Sequence, residues 1–342
     1  MRRLRVWAAL LTAAAVPALL SAADFPQAQV SNSQIKAQVF LPDAKNGYYR
    51  STRFDWSGAV YSLQYKGHEY YGQWYDRVDP AVINWVHQGP EIVSGPCSAL
   101  WGPVNEFETP LGFDAAKAGG TFIKIGVGVL RKPSDGRYNK YQPYEVLNPG
   151  KWTVKRNAAS IEFTQELSDP SSGYAYRYRK VVRLVRGKPE MEIAHSLTNT
   201  GKLPIESSVY NHNFMVFDKQ GPGPYNTFRV PFQIQSTRPP NKEMAEIRGD
   251  EIVFARPLAG QDEVAVFLQG FGKDAADSQV VMENKRVGAG VKIRSDRPLI
   301  RSMLWSIRTV LAVEPYVAID VQPGAEFTWT DTLEYYTMPP SQ

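Results

Sequence analysis

The chain has 342 residues, 43% hydrophobic, 12% aromatic and 21% charged. This excludes a disordered chain and leaves apolar material for one large β domain or two ordinary ones. The net charge is +5, but Arg2, Arg3 and Arg5 carry three of those charges in an acid-free N-terminal stretch. The remaining excess is too small to mark a nucleic-acid-binding protein. The lone cysteine, Cys97, excludes an internal disulfide and reads as a small buried residue in GPCSALWGP.

Residues 1–23, MRRLRVWAALLTAAAVPALLSAA, combine a basic start, a short apolar run and small residues before a cleavage point. That pattern predicts a secretory signal. The mature protein is expected to begin near Asp24, with residues 24–342 forming a single domain in the periplasm or outside the cell. No other apolar run is long enough to span a membrane, so no membrane association is expected after cleavage.

Strand signals follow along the chain. IKAQVFL, FDWSGAVYSLQY, TFIKIGVGVL, ASIEFTQEL, YAYRYRKVVRLV, MEIAHSLTNT, IVFARPL, EVAVFLQGF, SQVVMEN, VGAGVKIRS, YVAIDVQ and FTWTDTLEYYT are short and rich in β-branched or aromatic residues. Glycine, proline, asparagine and aspartate separate them. RLVRGKPEMEI predicts a hairpin about Gly187-Lys188-Pro189, and the charges of RYRKVVRLVR read as a solvated strand face. Long amphipathic helices and fixed-period repeats are absent. The fold class expected is all-β, one large, mainly antiparallel sandwich.

No phosphate-binding loop, HExxH, CxxC, EF-hand or GxSxG motif occurs, and the four histidines lack metal-ligand spacing. Neither a metal nor a cofactor is expected. His68 falls in a predicted hairpin turn, His87 in a loop near a possible site, and His195 on the apolar face of Met191 and Ile193.

His212, in VYNHNFMVF, differs. In a strand, Tyr210, His212 and Phe214 share one face, and Asn211 and Asn213 take the other. An aromatic face carrying one titratable group suits a sugar subsite, because pyranose faces stack on rings; it also suits a plain core position. Glu314 interrupts the apolar run TVLAVEPYVAI, and a desolvated carboxylate persists where it is paired or does chemistry. Arg301 and Arg308 are near in sequence as ordinary ion-pair partners.

NTGKLPIESSVYNHNF resembles the segment of the aldose 1-epimerase (galactose mutarotase-like) superfamily that carries the catalytic histidine. The matching residues are Asn199, Thr200, Gly201, Pro204, His212 and Phe214. LWSIRTVLAVEPYVAIDVQPGAEFTW resembles the family's C-terminal signature through Trp305, Glu314, Pro315, Pro323, Gly324 and Trp329. RFDWSGAVYSLQYKG resembles the opening hairpin and GPVNEFETPLGFD the substrate-side loop, so the likeness spans most of residues 30 to 337. The chain departs from the family in lacking a Leu-His-Gly-Gly segment and an identifiable sugar-binding aspartate. The stretch between Glu314 and Pro323 is also shortened.

The resemblance implies a large antiparallel sandwich and interconversion of sugar anomers. Glu314 would be the base at the anomeric hydroxyl, and His212 the acid at the ring oxygen. Arg53, with Arg50 as alternative, Glu106 and Trp305 are the expected substrate-binding residues, and the ligand is a sugar or oligosaccharide. The mechanism expects His212 and Glu314 to face one open groove about a sugar ring apart. Two other readings stay open: a non-catalytic carbohydrate-binding sandwich, and a polysaccharide lyase or glycosidase using Tyr210 or Tyr316.

Overall fold

The computed structural model describes residues 24–340; the expected signal segment, 1–23, lies outside the described residues. The architecture is the expected all-β one. Two antiparallel sheets dominate. The larger has ten strands, in the spatial order Lys151–Arg156, Ser160–Asp169, Tyr174–Leu184, Glu190–Asn199, Glu326–Thr337, Ala289–Ser295, Val280–Asn284, Asn226–Arg229, Glu251–Phe254 and Ala245–Arg248. The smaller has five, in the order Glu263–Leu268, Arg301–Ile307, Val310–Val321, Ile205–Met215 and Pro103–Phe107. Smaller sheets flank these, one containing a short parallel pair between Arg77–Val78 and Glu91–Ser94.

Side-chain alternation builds the core between the two large sheets. Phe107, Val209, Val317 and Ile319 of the smaller sheet share one apolar cluster with Tyr178, Leu197 and Trp329 of the larger. The alternate residues of the same strands, Tyr210, His212, Glu314 and Tyr316, therefore point to the smaller sheet's other face.

The hairpin at RGKPE forms as expected, with Gly187 at φ 72 and the Lys188 amide donating to the Val185 carbonyl over 3.2 Å. Three expectations are corrected in detail. FDWSGAVYSLQY is a strand only over Val60–Tyr65. Its first half turns instead, because Asp55 captures the Ser57 amide at 2.8 Å and Gly58 takes φ 69. TFIKIGVGVL is two strands, Thr121–Lys124 and Gly128–Arg131, folded back around Gly126 at φ 79. In RYRKVVRLVR the arginines 177, 179 and 183 are exposed, but Lys180 is fully buried. Its strand position faces the core, where Nζ reaches Asp55 at 3.3 Å and the Ser57 carbonyl at 2.7 Å.

Candidate functional site

The five-stranded sheet carries a cleft of about 320 Å³ on the face away from the inter-sheet core. That volume lies at the small end of the range typical of small-molecule sites, roughly 300–1,000 Å³. His212 and Glu314 both line it.

Strand register brings them together. The Ile205–Met215 and Val310–Val321 strands pair Tyr210 with Tyr316 and Asn213 with Val313. The register is the same at both points, so His212 stands opposite Glu314 and Asn211 opposite Pro315. Proline has no amide hydrogen to give the ladder there. Cross-strand neighbours on one face approach closely, and His212 Nε2 lies 3.0 Å from Glu314 Oε1. The expected separation of a sugar ring is thus corrected: the two groups are side by side.

The pair is tightly held. The His212 ring stacks on Phe214 at 3.6 Å between centroids, and the Tyr316 hydroxyl donates to Glu314 Oε2. Burial pushes the Glu314 carboxyl up, but His212, Lys140 and the Tyr316 hydroxyl outweigh it and hold the group down at about 2. Burial depresses His212 below its ordinary value of 6.5, and Glu314 opposes that only in part. An ionised carboxylate can only accept, so the hydrogen between the two groups sits on Nε2. Nδ1 is buried without a hydrogen-bond partner. Arg301 and Arg308 do not pair with Glu314. Arg301 binds Glu108 and lies over the Tyr316 ring at 3.7 Å. Arg308 contacts His87 and the Gly260 carbonyl, each at 2.9 Å.

Arg53 reaches the cleft from the buried turn after Tyr49, whose hydroxyl accepts the Arg53 and Phe54 amides at 3.2 and 3.1 Å. Each of its guanidinium nitrogens has one partner, Glu106 at 2.8 Å, Ser98 at 3.1 Å and Tyr210 at 3.1 Å. Arg50, the alternative, is exposed and bonds the Lys45 carbonyl away from the cleft. Glu106 is completely buried behind the wall, binding Arg53, Lys124, Lys140 and the Tyr210 hydroxyl. Trp305 lines the cleft, its indole nitrogen donating to Glu263 at 2.9 Å.

Sequence reading missed the contributions of the loops and of the short strand Trp85–Gln88. Trp74 stacks parallel to Phe214 at 5.9 Å and meets Trp305 edge-on at 5.4 Å. Trp85 meets Trp305 at 5.7 Å. Together with Trp305 they make an aromatic wall suited to the C–H face of a pyranose. Lys140 and Tyr141 enter from a loop folded on Asn139, whose side chain accepts the Tyr141 amide at 3.0 Å. The sequence signal, NKYQPY, resembles many surface loops.

The other histidines lie outside the cleft lining. His87 Nδ1 meets Arg308 at 2.9 Å. His68 follows the Lys66-Gly67 turn, half-buried, with Nδ1 2.7 Å from Asp218. His195 is a core residue stacked on Trp329 at 4.3 Å, with Nδ1 2.9 Å from the Tyr178 hydroxyl. Asn211 and Asn213 face the opposite side from His212 and are buried, bonded to each other at 3.0 Å.

This architecture is the all-β supersandwich of the aldose 1-epimerase and galactose mutarotase-like proteins. A galactose mutarotase related enzyme from Lactobacillus acidophilus superposes with a TM-score of 0.53 at 12% identity, over 92% of this chain and 98% of that one. A galactose mutarotase-like protein from Clostridium acetobutylicum gives 0.52 at 12%, over 91% and 95%. A candidate aldose 1-epimerase from Escherichia coli K12 gives 0.52 at 12%, over 91% and 99%. At such identities the likeness is one of fold. No known protein-family model and no curated protein matches the chain in sequence.

Proposed function

We propose that the cleft binds a sugar and that His212 and Glu314 catalyse interconversion of its anomers. The observation that carries this reading is their adjacency, 3.0 Å apart, on the floor of a tryptophan-walled cleft. In a cyclic aldose the ring oxygen and the anomeric hydroxyl are bonded to the same carbon. A neighbouring acid and base therefore suit them better than a pair separated by a ring.

The steps balance as follows. His212, as imidazolium, gives its Nε2 proton to the ring oxygen while the bond from C1 to that oxygen breaks. Glu314 takes the anomeric hydroxyl proton, and the C1 carbonyl forms. Rotation about C1–C2 and the reverse proton transfers close the ring on the other face. No metal is called for by these steps. The wild-type protein is expected to accelerate anomeric exchange of at least one aldose, uronic acid or oligosaccharide, measured by NMR saturation transfer. Exchange at the spontaneous rate across such a panel would reject the enzymatic reading.

A second reading, carbohydrate binding without turnover, is favoured by one observation: both Glu314 oxygens are occupied and its basicity is low. Calorimetric binding without accelerated exchange would support it. Bond cleavage by a tyrosine base has less support, since the Tyr210 and Tyr316 hydroxyls are committed to Glu106 and Glu314. Export to the periplasm or medium is part of the proposal, and N-terminal sequencing of the mature protein, expected to start near Asp24, tests it.

A further inference from the structure

The wall behind the catalytic pair carries an imbalance of charge. Glu106 is fully buried, and three cations converge on it: Arg53 at 2.8 Å, Lys140 at 3.4 Å and Lys124 at 3.5 Å. Among the described residues, the ion pairs give these cations no other carboxylate. The next anion whose field they feel is Glu314, which is itself bonded to His212. Three cations thus share two carboxylates. Of the other charges lining the cleft, Arg301 and Glu108 neutralise each other, while Glu263, which accepts the Trp305 indole hydrogen, keeps its negative charge but is exposed to solvent and forms no ion pair with the three cations among the described residues.

An uncompensated cation in a largely desolvated site is costly, and it is retained where something supplies its counter-charge. The three cations differ in access. Lys124 is sealed, and Arg53 is nearly so, with each guanidinium nitrogen already bonded to Glu106, Ser98 or Tyr210. Lys140 is the open one, with its side chain one-quarter exposed at the cleft edge. Among the described residues its ammonium meets Glu106 and the Tyr210 hydroxyl, each at 3.4 Å, and lies over the Tyr141 ring at 5.5 Å. A flexible ammonium of this kind serves as a point-charge partner for carboxylate or phosphate.

We infer that the ligand is a sugar bearing an anionic group, a carboxylate or a phosphate, which Lys140 receives beside the Arg53–Glu106 cluster. This rests on the sugar-site reading above. The sugar's C–H face lies on the tryptophan wall, and its acidic substituent turns towards Lys140.

Calorimetry on the full-length protein at low salt tests it with matched sets: glucose, glucuronate and glucose 6-phosphate, and the corresponding galactose series. The acidic member of at least one set is expected to bind about tenfold or more tighter than its neutral parent. The carboxylate and phosphate arms identify which acid it is. Raising salt to about 0.5 M should shrink that ratio, since a partly exposed charge contact is screened. Lys140→Gln, at a loop position, should bring the ratio close to one. Neutral sugars binding as tightly as acidic ones, or a ratio unchanged in Lys140→Gln, would overturn the inference and leave the sugar site standing. Failure of every sugar to bind would overturn both.

Discussion

Replacing Glu314 by glutamine removes a charge while keeping volume and the hydrogen bond from Tyr316. The carboxyl is held at about 2 against an ordinary value of 4.5, with less than a tenth of the residue exposed. A difference of that size corresponds to about 3 kcal/mol favouring the folded, ionised state. The sign is that of a depressed carboxyl: the stabilisation is full above pH 4.5 and fades as pH falls towards 2. Urea unfolding of wild type and Glu314→Gln should therefore differ by about 3 kcal/mol at pH 7, and by less than half of that at pH 3. The glutamine variant should lack this part of the acid sensitivity. A gap that is constant from pH 7 to pH 3, or a variant more stable than wild type at pH 7, would refute the assignment of His212, Lys140 and Tyr316 as the groups stabilising the anion.

Other outcomes follow from the same structure. Burial raises Asp331 to about 7 from 3.8, so its contribution is full below pH 3.8 and lost as pH rises through 7. Asp331→Asn should match wild type near pH 4 and be about 4 kcal/mol more stable at pH 8 by denaturant titration; no pH-dependent gap would refute this. Glu106→Gln strands three cations on a neutral amide, and should lower stability by about 3–5 kcal/mol at pH 7. A loss under about 1 kcal/mol would show that the cluster is not held by that charge. Because His212 is depressed below 6.5, its imidazolium forms only on the acid side. Anomerisation should therefore rise as pH falls below 6.5, and a rate that climbs from pH 6 to 8 would exclude His212 as the acid.

The legible part of the sequence was periodic. Alternation in YAYRYRKVVRLV and in VYNHNF placed strands and faces, and put His212 and Asn211 on opposite sides. What alternation cannot supply is register across strands. The adjacency of His212 and Glu314 depends on pairing between segments about a hundred residues apart, and only folding reveals that they stand opposite one another. Composition misjudged Lys180 for a related reason, since a lysine in a charged run is buried when its strand position faces a core aspartate. The resemblance of GPVNEFETPLGFD to a substrate-side loop put Glu106 at the cleft, yet three cations hold it buried behind the lining. Trp74, Lys140 and Tyr141 come from loops and Trp85 from the four-residue strand Trp85–Gln88, too short or irregular for periodicity to mark direction, and tertiary contacts aim them.

The central claim is that adjacent His212 and Glu314 move protons at an anomeric carbon. Its most direct test is the rate of anomeric exchange, by polarimetry or NMR, for wild type, His212→Ala and Glu314→Gln on the sugar that binds most tightly. Exchange well above the spontaneous rate in wild type, reduced by about 10²–10⁴-fold in each variant while the fold persists by circular dichroism, is the predicted result. Wild-type exchange no faster than the uncatalysed reaction, or variants as fast as wild type, would contradict it.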